Sequence, residues 1–109
     1  MTFDAGLRDD LRAHLAGVAG LEEKAMFGGV GFMCRGNLLC GVMGDELLVR
    51  VGKKGGEDFV GEDAAHPMVM GGRTSQGWIL VPMPPADRPA LLTRWVARAS
   101  AFVETLPSK

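Results

Sequence analysis

The chain has 109 residues, 47% hydrophobic and 23% charged, which is typical of one globular domain, here taken as residues 1–109. Twelve basic and thirteen acidic side chains give a formal net charge of -1, which excludes a global positive field that would concentrate the protein on nucleic acid or an anionic membrane. No segment approaches the ~20 apolar residues that span a bilayer, and the N-terminus lacks the features of a signal peptide. We therefore expect a cytoplasmic protein that does not bind membranes.

The first predicted element is an amphipathic helix close to the N-terminus. Asp4 is a suitable N-cap, and the glycines at positions 17 and 20 are expected to end the helix. Its apolar positions repeat at helical spacing: Leu7, Leu11, Leu15 and Val18.

Three strands with two tight turns are predicted next, at residues 26–34, 38–43 and 46–51. Gly28, Gly29 and Gly31 permit a bulge, a bend or the close approach of another backbone in the first of these strands. The turns are expected at residues 35–37 and 44–45, where glycine, asparagine and aspartate separate apolar runs. This pattern predicts an antiparallel meander.

A short helical turn at residues 57–60 and a second hairpin follow in the predicted order. The hairpin strands are expected at residues 67–73 and 77–82, with residues 74–77 as their connection. Asp87 is a suitable cap for a last helix, which Pro107 ends. That helix carries a wide apolar stripe: Leu91, Leu92, Trp95, Val96, Ala99, Phe102, Val103 and Leu106. The whole order predicts an α+β fold with two layers, in which helices cover one face of an antiparallel sheet.

Three runs of sequence carry a family resemblance, which covers nearly the whole chain: KAMFGGVGFMCRGNLLCGVMGDELLVRVG, HPMVMGGRTSQGWILVP and LLTRWVARASAFVETLP. In this order they resemble the N-terminal domain of the TfoX/Sxy family, and MFGGVGF at residues 26–32 is the most specific part. The resemblance implies an α-β-β-β-α-β-β-α sandwich like that of secretion chaperones. It also implies similarity to regulators of natural competence, which act as coactivators with a cyclic-AMP receptor protein.

The sequence ends at Lys109, so we expect a stand-alone N-terminal domain without the C-terminal helical domain of the full-length regulators. The MFGG run has no established catalytic role to transfer from that family. We take its residues, Met26, Phe27, Gly28 and Gly29, as candidate interaction residues.

The cysteines and histidines that could bind a metal or undergo redox chemistry number two of each in this sequence. The spacing of Cys34, Cys40, His14 and His66 matches no zinc finger or ribbon, so we expect no metal site. A two-residue turn between the first two predicted strands would place the cysteines on opposite sides of the sheet. A three-residue turn would place them diagonally on one face, which leaves a redox pair open. We expect two thiols.

No catalytic pattern emerges from the remaining polar residues, and we expect neither an enzyme nor a bound cofactor. Ser75, Ser100 and Ser108 lack a nucleophile motif. The adjacent carboxylates at 9–10, 22–23, 57–58 and 62–63 indicate solvated surface. The glycine-rich run at 52–58 lacks the phosphate-loop pattern and is expected to be a surface loop, although its lysines leave a phosphate or an acidic partner open.

Arg50 interrupts a strand of core-type residues and is the last candidate interaction residue. It is interpreted as an arginine on the exposed face, as one that snorkels beside Glu46, or as an anchor for an acidic partner or anion. Five methionines leave a similar choice between core filling and an adaptable binding surface: Met26, Met33, Met43, Met68 and Met70.

The preferred hypothesis is a dimeric, non-enzymatic interaction module that presents its sheet or an exposed strand to a transcription-related protein. The alternative is a small-molecule-binding or metabolic protein with a pocket between the last helix and the sheet. Its predicted lining is Met33, Trp78, Trp95 and Phe102. Direct nucleic-acid binding is not expected, because the chain lacks a helix-turn-helix signature and a basic face.

Overall fold

The computed structural model describes residues 3–26, 28–70 and 72–107. Within these ranges the chain forms three α-helices, one 3-10 turn and six strands. In chain order they are α1 (Ala5–His14), β1 (Leu21–Met26), β2 (Gly29–Cys34), β3 (Asn37–Met43), β4 (Glu46–Arg50), α2 (Gly52–Phe59), the 3-10 turn (Glu62–Ala64), β5 (His66–Met70), β6 (Arg73–Pro82) and α3 (Arg88–Val103). The predicted α+β class and the order of helices and strands are confirmed, with one strand more than expected. No helix among these residues is long and apolar enough to cross a membrane.

All six strands form one sheet in the order β1-β2-β3-β4-β6-β5, and every neighbouring pair is antiparallel. Strands β1 to β4 follow one another as a meander. The chain then passes through α2 and the 3-10 turn to the far edge, where β5 begins, and β6 returns between β5 and β4. The central strands are therefore β3 and β4.

The strand predicted at residues 26–34 is wrong in one respect, because two strands meet within this range. Met26 ends β1 and Gly29 begins β2, with Gly28 at a φ of +75° between them. Strand β1 was not predicted because its sequence, LEEKAM, is almost entirely exposed and has no apolar alternation. Charged side chains on an edge strand discourage pairing with another chain.

The second hairpin is also shifted from its predicted position. Strand β6 begins at Arg73, so the expected connection at residues 74–77 lies inside the strand. The chain turns before it, where Gly72 has a φ of +78°. Gly77, with a φ of +85°, instead lies in a bulge of β6 where the pairing register with β5 shifts. There it approaches α2, which is longer than the helical turn predicted at 57–60.

The hydrophobic core lies between one face of the sheet and the helices α1 and α3. The helices, together with Leu15 at the C-cap of α1, contribute Leu7, Leu11, Leu91, Leu92, Trp95, Val96, Ala99 and Val103. The four strands β2, β3, β4 and β6 contribute core residues such as Phe32, Val42, Val49 and Val81. Trp95 has no exposed surface, and the Phe59 ring meets it edge-on with 5.8 Å between ring centroids. The apolar stripe predicted on the last helix is confirmed as core.

The carboxylate of Asp63 is the hydrogen-bond acceptor for the indole N–H of the buried Trp95, a role that the sequence does not indicate. Its carboxylate accepts hydrogen bonds from Trp95 Nε1 at 2.9 Å and from Arg94 at 2.6 Å. Burial raises the pKa of Asp63, but these hydrogen bonds and the arginine charges lower it by more, so the pKa ends below its ordinary range. The expectation of solvated carboxylates at 62–63 is therefore wrong for Asp63.

We expect Asp63→Ala to reduce the free energy of unfolding by about 1–3 kcal/mol at neutral pH, because it leaves the Trp95 N–H buried without a partner. The difference from wild type should shrink as the pH falls through the lowered pKa of Asp63, since a carboxylate with a depressed pKa stabilises the fold only while it is ionised. Urea unfolding at neutral and acid pH measures both effects. Asp63→Asn is the matched control, because it keeps an acceptor for Trp95. An equal loss in both variants at all pH values would contradict this role.

Candidate interaction face

The second face of the sheet is not covered by α1 or α3. Its side chains alternate with core residues along the central strands, and cross-strand pairing places them in common rows. We call this surface the open face and define it by Glu22, Lys24, Met26, Gly29, Gly31, Met33, Leu38, Gly41, Met43, Glu46, Leu48, Arg50, His66, Trp78, Leu80 and Pro82. Leu48 at its centre is 1% exposed, and the methionines, Leu80 and Trp78 are half-buried.

Glycines shape the middle of the open face. A Cβ at Gly31 would lie 2.6 Å from the sulfur of Met26 and 2.9 Å from Leu38, so these two side chains cover the space over the glycine. A Cβ at Gly29 or Gly41 would meet a backbone carbonyl of the neighbouring strand. The prediction that these glycines permit the close approach of another backbone is confirmed at Gly29, whereas at Gly31 side chains occupy the space. The result is a surface of thioether and aliphatic side chains over a thin sheet.

Arg50 lies at one end of the open face, opposite Trp78 on β6. Its guanidinium carbon is 5.1 Å from the centroid of the Trp78 ring and 5.7 Å from that of Phe102. Such cation-π contacts hold an arginine against apolar surface while its donors stay available. Among the described residues, no carboxylate lies within 4.0 Å of Arg50.

The interpretation of Arg50 as a neighbour of Glu46 is wrong. The two residues share a strand face but are four positions apart, which in a strand is about 13 Å. Glu46 Oε2 instead lies 2.8 Å from Nε2 of His66 on β5. The open face thus carries an acidic end at Glu46 and a basic end at Arg50.

Three of the other candidate interaction residues, Met26, Gly28 and Gly29, lie at the acidic end. Met26 pairs with Gly29 across the first hairpin, and Gly29 is buried. Gly28 is exposed in the turn between them. Phe27 lies outside the described residues. The structure therefore brings Met26 and Gly29 onto the same face as Arg50 but at the opposite end of it.

The potential metal ligands are not brought together. Cys34 and Cys40 are buried in the core, whereas His14 is exposed on α1 and His66 contacts Glu46. Within the part of the chain that the structure describes, no group of three or more His, Cys, Asp or Glu side chains is placed to hold a metal ion.

Both cysteines lie on the core face because Leu39 is an extra residue in β3. The register of β2 with β3 shifts between Phe32 and Met33, so Leu39 and Cys40 both point into the core. The turn before β3 has only two residues, Arg35 and Gly36, so the shared face arises from a bulge and not from a longer turn. Both thiols are free, and burial raises the pKa of Cys40 to about 12.

The predicted pocket between the last helix and the sheet does not form. Trp95 is enclosed in the core, while Met33 and Trp78 lie on the open face on the other side of the sheet. A groove that the sequence did not indicate lies between α2 and β6, with a volume of about 390 Å³. Gln76, Trp78 and Val60 contribute to its walls.

Residues 13–103 match the TfoX N-terminal domain, so the chain belongs to the TfoX N-terminal domain family. This match covers most of the chain and makes it a competence-regulator-like domain. No curated protein and no solved structure matches the chain.

We expect Cys40 to resist thiol reagents until the protein unfolds. Its side chain has no exposed surface, and a pKa of about 12 lowers the thiolate fraction about 1,000-fold relative to an ordinary value of 9.0. Disulfide exchange with a chromogenic reagent on a Cys34→Ala variant measures this directly, with guanidinium-unfolded protein as the control for one reactive thiol per chain. Rapid reaction of the folded variant would contradict the enclosed position of Cys40.

Proposed function

We propose that the chain is a non-enzymatic protein-interaction domain of the cytoplasm, which binds a transcription-related protein through the open face. The observation that carries the proposal is Arg50, a cation stacked on Trp78 at the end of an apolar face, with no carboxylate from the described part of the chain within 4.0 Å. An acidic side chain of a partner supplies the missing charge. The relation to competence regulators supports a partner connected with transcription.

The composition of the open face supports this proposal. Interfaces are enriched in aromatic residues, methionine and arginine, and truncation of Trp and Arg often causes the largest loss of binding energy. The open face combines Trp78 and Arg50 with Met26, Met33 and Met43. Methionine side chains adapt to the shape of a bound surface at little cost.

The lowered pKa values of Glu23 and Asp63 support a role without catalysis. Glu23 accepts hydrogen bonds from Arg12 at 2.9 and 2.8 Å, which lower the pKa of Glu23. Asp63 is held by Arg94 and Trp95 as described above. These carboxylates are therefore ionised structural partners, and a general acid needs the opposite shift in pKa.

A second candidate function is the binding of a small molecule in the groove between α2 and β6. Its volume of about 390 Å³ falls within the usual range of ligand sites, and Trp78 offers an aromatic wall. A thermal-shift screen with cellular metabolites tests this function. It requires a ligand whose stabilisation is lost in Gln76→Trp, a substitution that fills the groove.

Site-specific photo-crosslinking tests the proposed function. A photoreactive amino acid at Leu80 on the open face should capture a transcription-related partner in the native cell, whereas the same group at Ala97, exposed on α3, should not. Arg50→Glu should weaken binding of the captured partner at least about tenfold, because it replaces the stacked cation with a like charge for an acidic partner. Lys53→Glu makes the same charge change on the neighbouring helix and should leave binding unchanged. Equal capture from Leu80 and Ala97, or none under any growth condition, would refute the proposal.

A further inference from the structure

We propose that the open face also binds a second copy of this chain, in a two-fold symmetric dimer where Arg50 of each copy pairs with Glu46 of the other. This inference rests on the proposed function only in taking the open face as an interaction surface. Its evidence is the arrangement of side chains across the strands.

Cross-strand pairing divides the open face into three rows that run perpendicular to the strands. The acidic row contains Met26, Gly29, Met43, Glu46 and Pro82. The central row contains Lys24, Gly31, Gly41, Leu48, Leu80 and His66. The basic row contains Met33, Leu38, Arg50 and Trp78, and Glu22 extends it at the outer edge.

In the proposed dimer the two sheets face each other, and the two-fold axis lies between them along the central row. The acidic row of one copy then lies opposite the basic row of the other. Glu46 then faces Arg50, and Pro82 faces Trp78. In the same rows Met43 faces Leu38, and Gly29 faces Met33. These four pairs, on β2, β3, β4 and β6, are complementary in charge, in apolar character or in size, and the central row meets its own copy through Leu48 and Leu80. Such self-complementarity is the requirement of an isologous interface.

The charged pair makes this axis specific. Glu46 uses Oε2 for His66, and Oε1 has no partner among the described residues. Its side chain is 24% exposed, so it remains accessible to a second copy. Facing sheets pack about 10 Å apart, a gap that an arginine and a glutamate from opposite sides can span together. An arginine desolvated without a carboxylate would oppose association, whereas a pair stabilises it and fixes the register.

An axis parallel to the strands gives a poorer interface. If it passes between β3 and β4, Arg50 faces Leu38 and Glu46 faces Met43, which buries two charges against apolar side chains. If it passes along β4, Arg50 faces Arg50 and Glu46 faces Glu46, which repel. With the axis along the central row, Lys24 and His66 at its two ends each face their own copy, and on β1 Met26 faces Glu22. The complementary contacts therefore lie on β2, β3, β4 and β6. Lys24 has a counter-ion in Glu22 of its own chain at 3.8 Å.

A charge-exchange experiment tests the dimer. Arg50→Glu and Glu46→Arg each place like charges at both symmetric contacts, so each variant alone should dimerise at least about 100-fold more weakly than wild type. An equimolar mixture of the two restores both opposite-charge pairs. It should form a heterodimer with an affinity within about tenfold of the wild-type dimer. Sedimentation velocity gives the affinities, and native mass spectrometry identifies the heterodimer by mass. Lys53→Glu should dimerise as wild type does.

The folded state of each variant is checked by circular dichroism, and recovery of association in the mixture itself requires that both variants are folded. Single variants that dimerise normally, or a mixture no stronger than its components, would overturn the proposed dimer. A wild-type chain that stays monomeric while Leu80 still captures another protein would overturn the dimer and leave the proposed function standing. A dimer with the expected charge exchange but no other captured protein would support the dimer and refute the proposed function.

Discussion

The contact between Gly52 and Gly77 is the constraint on which the functional half of the molecule depends. A Cβ at Gly77 would lie 3.0 Å from the carbonyl carbon of Gly52, and both glycines have positive φ values. The Val51 N–H donates to the Gly77 carbonyl at 2.9 Å beside this contact. Because the two backbones touch, α2 lies directly against the bulge of β6. Trp78, the next residue, is thereby fixed opposite Arg50.

The same contact couples the two faces of the sheet. The Phe102 ring of α3 occupies the position that a side chain at Gly52 would need, with ring atoms 2.5 and 2.7 Å from a Cβ built there. Phe102 also lies beneath the guanidinium of Arg50. The core helix therefore supports the cation at the rim of the open face. Arg50 is held by rings from both layers, so its position is set by the fold and needs no surface salt bridge.

Elements with a buried apolar face can be predicted from the sequence. Features that depend on contacts between distant parts of the chain cannot. The stripe that includes Trp95 predicted α3, because apolar periodicity directly records the buried face. Gly77 was placed in a turn, since a glycine that permits a tight turn and one that permits close backbone approach are identical in sequence. Strand β1 lacks a buried face and left no periodic signal. Arg50 was identified by its interruption of an apolar strand, but its aromatic partners come from distant parts of the chain.

The residues that carry the family resemblance lie at both ends of the open face and do not form one cluster. Within the MFGG run, Met26 pairs with Gly29, and this pairing sets both residues at the acidic end of the face. The Gly-Trp pair at 77–78 supplies the opposite end by positioning Trp78 beside Arg50. Glu46 and Arg50 on the connecting strand then give the face a direction, from acidic to basic. A surface with such a direction distinguishes one orientation of a bound strand or sheet from its reverse, which a uniformly apolar face cannot do.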